Sequence, residues 1–225
     1  MTEGQFVHAL ALGLETGWRR LDREERCRSA EQLATAVNAP SQVATFSYSM
    51  VGLKAGIDLL LWSLSPSLEA LEERAASVLG SGMGSWMDVR QSFLGLIKPS
   101  QYVKRPTQQE QSLFTGERSR YLVVYPFTKS TEWYLQPHDE RQKIMNEHMK
   151  VGHRFHQVRQ LLAYSFGVDD MDFLVAYETD DLPAFSELVL ELRGTESRRS
   201  TLRDTPILAG IHRPIDEITA LLGAR

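Results

Sequence analysis

The sequence predicts an α+β fold built from two ferredoxin-like repeats, each running strand, helix, strand, strand, helix, strand. Three observations predict it. Apolar residues switch back and forth between two-residue and helical spacing along the chain. Turn and cap residues fall between those segments. The halves also echo each other in order: Trp18, Leu21, Glu25 and Arg26 are answered by Trp133, Leu135, Glu140 and Arg141, and Tyr48, Gly52 and Asp58 by Tyr164, Gly167 and Asp172.

In the first half the expected strands are Phe6–Leu14, Val43–Tyr48, Leu59–Leu64 and Phe93–Ile97, with helices over Arg23–Val37 and Ser67–Val78. Pro66 marks the start of the second helix, and Leu68, Leu71, Ala75 and Val78 give it an apolar stripe. In the second half the strands are Tyr121–Phe127, Val158–Phe166, Phe173–Glu178 and Ile207–Ile211, with helices over Pro137–Arg159 and Leu182–Glu191. Asp181 is placed to cap the last of these, with Pro183 in its first turn and Phe185, Leu188, Val189 and Leu192 on one face. The stretch Lys98–Arg120, with Pro99, Pro106 and Gly116, has no periodicity and reads as a connector. The expected division is therefore 1–105, a connector over 106–118, and 119–225.

Helices on one side of a sheet leave its other face apolar and in need of cover. Two repeats can meet that need by packing face to face, and the long alternating strands also suggest association into oligomers. Ile215, Ile218 and Leu222 form a short amphipathic stripe expected to dock on a neighbour or back on the body.

Composition narrows the function classes. The 225 residues are 42% hydrophobic and 24% charged, with a net charge of -4. That is an ordinary globular balance, without the basic stripe of a nucleic-acid binder. The longest apolar run, around Ile57 to Trp62, is far shorter than a bilayer span, and the N-terminus has no leader pattern. A cytoplasmic location is expected. The single cysteine, Cys27, sits in a charged helical segment without a nucleophile motif around it.

The candidate chemistry lies in the second half. His148 follows Ile144 and Met145 by four and three residues, so its ring leaves the apolar face of a helix. A neutral imidazole there can bind a metal, or can equally be a satisfied core histidine. Tyr125 within a strand and Lys129 four residues on each have an ordinary reading as well, a packed phenol and a solvated cation. His153 and His156 lack a third donor at useful spacing, and no zinc-type or nucleophile-elbow motif occurs. Gly80, Gly82 and Gly84 follow a helix rather than a strand, which argues against a phosphate cradle.

The run Tyr125-Pro126-Phe127-Thr128-Lys129, then Trp133-Tyr134, Glu140-Arg141, Glu147-His148 and Gly167 to Asp170, resembles the chlorite dismutase-like superfamily of haem proteins. Within it, the closest likeness is to the coproheme decarboxylases, which are hydrogen-peroxide-dependent haem synthases. The resemblance implies that the two repeats form a dimeric α+β barrel within one chain and that chains assemble as homopentamers. It implies haem iron as cofactor, with coproheme acting as both substrate and cofactor, and hydrogen peroxide as oxidant; no nucleic acid or membrane partner is expected.

Carried over position by position, the resemblance makes His148 the proximal iron ligand and Glu196 the carboxylate bonded to it. Lys129 would lie near the propionates or the proximal carboxylate, Trp133 beside the macrocycle, and Tyr102 on the propionate side. Tyr125 would be the radical-forming tyrosine and Gln160 the residue over the sixth iron position. The implied reaction is oxidative decarboxylation of coproheme to haem b through a tyrosyl radical. Chlorite dismutases resemble this family but carry an arginine over the iron, and Arg159 adjoins Gln160. Chlorite dismutation, or haem binding without catalysis, therefore stands as the alternative.

Overall fold

The computed structural model describes residues 4–103 and 117–224. The expected connector lies, through residue 116, outside the described residues. The first repeat runs β1 (Phe6–Leu14), α1 (Arg23–Asn38), β2 (Ala44–Lys54), β3 (Ile57–Ser65), α2 (Leu68–Leu79) and β4 (Met87–Leu96). The second runs β5 (Tyr121–Lys129), α3 (Thr131–Leu135), α4 (His138–Gly152), β6 (Arg159–Tyr164), β7 (Phe173–Thr179), α5 (Leu182–Arg193) and β8 (Thr201–Arg203). The short β9 (Leu208–His212) and α6 (Ile215–Leu221) follow. The chain divides into two compact units, one of Thr2–Leu96 with Ala209–Arg225 and the other essentially Ile97–Leu208.

In the first unit the strands lie in the order β4, β1, β3, β2, all antiparallel, which is the arrangement of a ferredoxin-like repeat. Leu10 and Leu12 of β1 and Leu59 and Leu61 of β3 point to one face because alternate residues do so, and they pack on Leu33 and Val37 of α1 and Val78 of α2. Asp22 and Ser67 cap the two helices by accepting from the backbone N–H groups of Glu25 and Ala70. The two-residue turn from β2 to β3 needs a left-handed residue, supplied by Gly56 at φ 73°. Gly13 faces that turn so closely that a Cβ would stand 2.0 Å from the Gly56 carbonyl oxygen.

The C-terminal helix docks on its own first unit. Ile215, Ile218 and Leu222 join the core around α1, Trp18 Nε1 donates to the Leu222 carbonyl at 2.9 Å, and the Cys27 thiol donates to the Ala224 carbonyl at 2.9 Å. Cys27 is thus a hydrogen-bonded structural thiol. None of the described helices is long and apolar enough to cross a membrane.

In the second unit the order is β6, β7, β5, β8, the same pattern read in reverse. Here the structure corrects the sequence reading. The fourth strand of this repeat is Thr201–Arg203, paired to β5, while the expected strand Ile207–Ile211 is β9, which pairs with β2 through Tyr48–His212 and Ser49–Ile211. Pro206 lacks an N–H and ends the first segment, and three polar-rich residues gave no alternation to read. The helix expected over 137–159 stops at Gly152, because Phe155 and Val158 turn inward to pack with Val175 and Leu188.

One buried ion cluster fixes how β6 enters the sheet. Glu178 of β7 has a fully buried side chain. Its carboxylate accepts from Arg159 at 2.8 Å and lies 3.5 Å from Arg118. Arg159 stands directly opposite Glu178 in the ladder. Removing the carboxylate leaves two guanidinium groups without their counter-charge, so Glu178→Ala is expected to destabilise the fold by about 3–5 kcal/mol, read as a lower urea midpoint.

Candidate functional site

The second unit encloses a cavity of about 610 Å³, within the roughly 300–1,000 Å³ usual for cofactor-sized ligands. Its floor is one face of the sheet. Register aligns Gln160 with Tyr177, Leu162 with Val175 and Tyr164 with Phe173, and Tyr125 and Phe127 continue the last two rows on β5. Because side chains alternate, Gln160 lines the cavity while its neighbour Arg159 is turned away and held by Glu178.

The opposite wall is helical. Arg141, Met145, His148 and Met149 line the cavity from α4, the i, i+4, i+7, i+8 spacing of a single helix face. Burial first, and the Lys129 charge second, hold the His148 imidazole down to a pKa of about 4. The ring is therefore neutral near pH 7, the form that can donate to a metal. Its Nδ1 lies 3.1 Å from Ser197 Oγ.

That contact corrects the expectation for Glu196. Residues Glu196–Ser200 form a 3-10 turn, which turns Ser197 inward at 5% exposure. Glu196 faces outward, its carboxylate paired with Arg199 at 3.1 Å and its N–H donating to Glu147. The imidazole's partner is a serine hydroxyl one position later. Lys129 also serves this turn: its buried ammonium donates to the Ser197 carbonyl at 2.7 Å and sits 4.5 Å from the Trp133 ring centre. Burial, with a smaller part from Arg198, draws the lysine down to about 8.

Trp133, carried inward by the single turn of α3, is buried at the cavity edge, with Tyr102 edge-on to it at 6.4 Å. The Tyr102 hydroxyl accepts a long bond from Arg141 Nη1 at 3.4 Å, and Arg141 Nε is buried with no acceptor among the described residues. Tyr125 lies deeper, its ring stacked 6.1 Å from that of Tyr177. Burial, then Tyr177, pushes its phenol well above the usual range, so it is protonated throughout physiological pH. Beyond it, Arg193 and Arg198 line the cavity and share the Asp204 carboxylate.

The structure thus brings Tyr125, Lys129, Trp133, His148, Gln160 and Tyr102 around one cavity and leaves Glu196 outside it. Sequence reasoning passed over Ser197, Tyr177 and the arginines at 193 and 198. Tyr177 could have been found from strand pairing, since it stands opposite Gln160. Ser197 offered no signal, because which residue of a short turn faces inward is set by tertiary packing.

A family model described as chlorite dismutase matches residues 23–213. The coproheme decarboxylase of Mycolicibacterium smegmatis is 29% identical over 177 residues, covering 78% of this chain and 75% of the relative. Among solved structures, a mutant chlorite dismutase from Candidatus Nitrospira defluvii superposes with a TM-score of 0.91 at 25% identity, covering 100% of this chain and 98% of the other. The chlorite dismutase of the same organism in complex with imidazole gives 0.90 at 25% identity, covering 100% and 97%. With a family match spanning most of its length and a fold that follows solved members from end to end, the chain belongs to the chlorite dismutase family.

Proposed function

We propose that this chain is a haem-dependent oxidoreductase that converts coproheme to haem b by two peroxide-driven decarboxylations. The observation that carries the reading is a cavity combining one neutral imidazole, a partly buried protonated phenol and cationic groups at its edges.

The donor set fits an iron porphyrin. Among the described residues no cluster of three or more His, Cys, Asp or Glu could hold a bare metal ion. An iron held by a porphyrin's own nitrogens needs only a single protein donor, and His148 would supply it. The aromatic and aliphatic lining suits a flat macrocycle. Arg141, whose Nε lacks an acceptor among the described residues, is suited to a carboxylate arm, as are Arg193 and Arg198 near Tyr125.

Bound coproheme supplies the iron at which peroxide is reduced. For each arm the balance is propionate, hydrogen peroxide and one proton giving vinyl, carbon dioxide and two waters. Tyr125 would give up an electron and its phenolic proton to the oxidant and then take a hydrogen atom from the β-carbon of a propionate, which restores the phenol. A second electron would pass from that carbon to the remaining oxidising equivalent of the peroxide, so that the carboxylate departs as carbon dioxide and leaves the vinyl group. A bound macrocycle filling the cavity would screen the phenol from water, and the arginines would hold the arm by charge-assisted hydrogen bonds.

Gln160 favours this reaction over chlorite dismutation. A neutral amide can orient peroxide, whereas a compact anion gains from a guanidinium over the iron, and Arg159 is engaged with Glu178 instead. The mycobacterial relative named as a coproheme decarboxylase supports the same reading. Mass spectrometry of the porphyrin after adding coproheme and peroxide tests it. Two successive losses of the elements of formic acid are expected. An unchanged porphyrin, together with rapid dioxygen release from chlorite, would assign the chain to the alternative activity, and an unchanged porphyrin without it to haem binding alone.

A further inference from the structure

We propose that Ser197 and Thr195 form a directional hydroxyl relay that fixes His148 as its Nδ1–H tautomer and so presents a bare Nε2 to iron. This rests on the reading of His148 as the axial donor.

The direction follows from the last link. Thr195 Oγ1 lies 2.7 Å from the Leu192 carbonyl oxygen, which has no hydrogen to give, so the threonine must donate there. Its only hydroxyl hydrogen is then committed. In its 3.0 Å contact with Ser197 Oγ Thr195 can only accept, so Ser197 donates. Ser197 in turn has no hydrogen left for its 3.1 Å contact with His148 Nδ1, so the imidazole nitrogen donates and carries the proton. Both residues are buried, Thr195 at 6% and Ser197 at 5% exposure, which disfavours water as a competing partner.

The surroundings hold this order in place. Leu192 lies in the last turn of α5, where the helix dipole makes its carbonyl a stronger acceptor. The Lys129 ammonium clamps the Ser197 carbonyl from the other side at 2.7 Å, so the backbone of the relay residue is fixed independently of its hydroxyl. In a neutral imidazole a proton on Nδ1 means a lone pair on Nε2.

The chemical consequence concerns electron release. A carboxylate on Nδ1 draws the proton away and makes the ring a stronger donor. A neutral hydroxyl chain ending on a peptide carbonyl does not, so the iron keeps a higher reduction potential than a carboxylate partner would give. Ser197 is in this sense a positioning residue, acting through His148.

The test uses the full chain labelled with 15N-histidine and free of porphyrin, with the His148 signals identified by their loss in His148→Gln. Long-range proton–nitrogen correlation near pH 7 is expected to show a protonated Nδ1 and an unprotonated Nε2. Thr195→Val, nearly isosteric, frees the Ser197 hydrogen to point at Nδ1 and is expected to move the ring toward the Nε2–H form. Ser197→Ala should move it the same way, and Ser197→Thr should restore the wild-type pattern. After loading, Ser197→Ala is expected to weaken retention of the iron porphyrin by roughly 10-fold and to lower the ferrous iron–histidine stretching frequency. A wild-type ring already in the Nε2–H form, or nitrogen shifts unmoved in Thr195→Val, would overturn the relay. An iron–histidine band that survives His148→Ala would instead overturn the axial assignment, whatever the tautomer result.

Discussion

Tyr125→Phe should bind coproheme with the wild-type absorption spectrum, consume peroxide, and leave both propionates intact. The substitution removes one oxygen from a partly buried ring whose packing against Tyr177 and within the Phe127, Phe173 and Phe185 cluster is otherwise kept, so binding is preserved while the hydrogen-abstracting group is lost. Vinyl formation is expected to fall by roughly 10²–10⁴-fold, the scale of losing a positioned proton-transfer group. Product masses from single-turnover reactions would check this. Monovinyl product at a near-normal rate would show that another group, Tyr177 being the nearest phenol, does the abstraction. The raised pKa of Tyr125 matters here: a phenolate would be oxidised by electron loss alone, whereas a protonated phenol must lose a proton as well, which couples its oxidation to the acceptor at the iron.

His148→Ala should abolish axial coordination. The α4 face would retain Arg141, Met145 and Met149, and neither methionine thioether matches a neutral imidazole as a donor to ferric iron. A lost iron–histidine band and a shifted Soret absorption are expected, with added imidazole partly restoring both.

The same residue sets an acid limit on the porphyrin-free protein. Its folded pKa of about 4 lies below the ordinary value of 6.5, so between those values the unfolded chain binds a proton that the folded one refuses. Stability from this group is complete above pH 6.5 and is lost as the pH falls toward 4, by up to about 3 kcal/mol and less to the extent that cavity water solvates the ring. His148→Gln should flatten that part of the urea midpoint against pH curve. An equally steep fall in the variant would place the acid sensitivity elsewhere.

The strand and helix faces that build the cavity were legible in the sequence because they rest on local rules. Asp181 with Pro183 announced α5, and the stripe ending in His148 announced the inner face of α4. The spacing that put Tyr125, Lys129 and Trp133 near one helix-borne histidine also followed from the motif. What was not legible depended on short turns and on partners distant in sequence. Glu196 came from the family resemblance, position for position, and the inward rotation of a 3-10 turn that presents Ser197 instead cannot be read from its residues. Lys129 was expected near the propionates or the proximal carboxylate; its ammonium donates to a peptide carbonyl 68 residues on, in the turn that carries the histidine's partner, a contact between residues distant in sequence. The strand Thr201–Arg203 is too short and too polar to show a period.

The ion cluster behind the sheet has a reach beyond stability. Since Arg159 and Gln160 project to opposite sides of β6, the salt bridge to Glu178 acts as a latch on phase: it decides which of two adjacent side chains looks at the ligand. A one-residue slip would bring a guanidinium into the chamber and send the amide out. On the proposed function, discrimination between an uncharged oxidant and a small oxyanion would then be set in part from the other side of the sheet, by a glutamate that does not line the cavity.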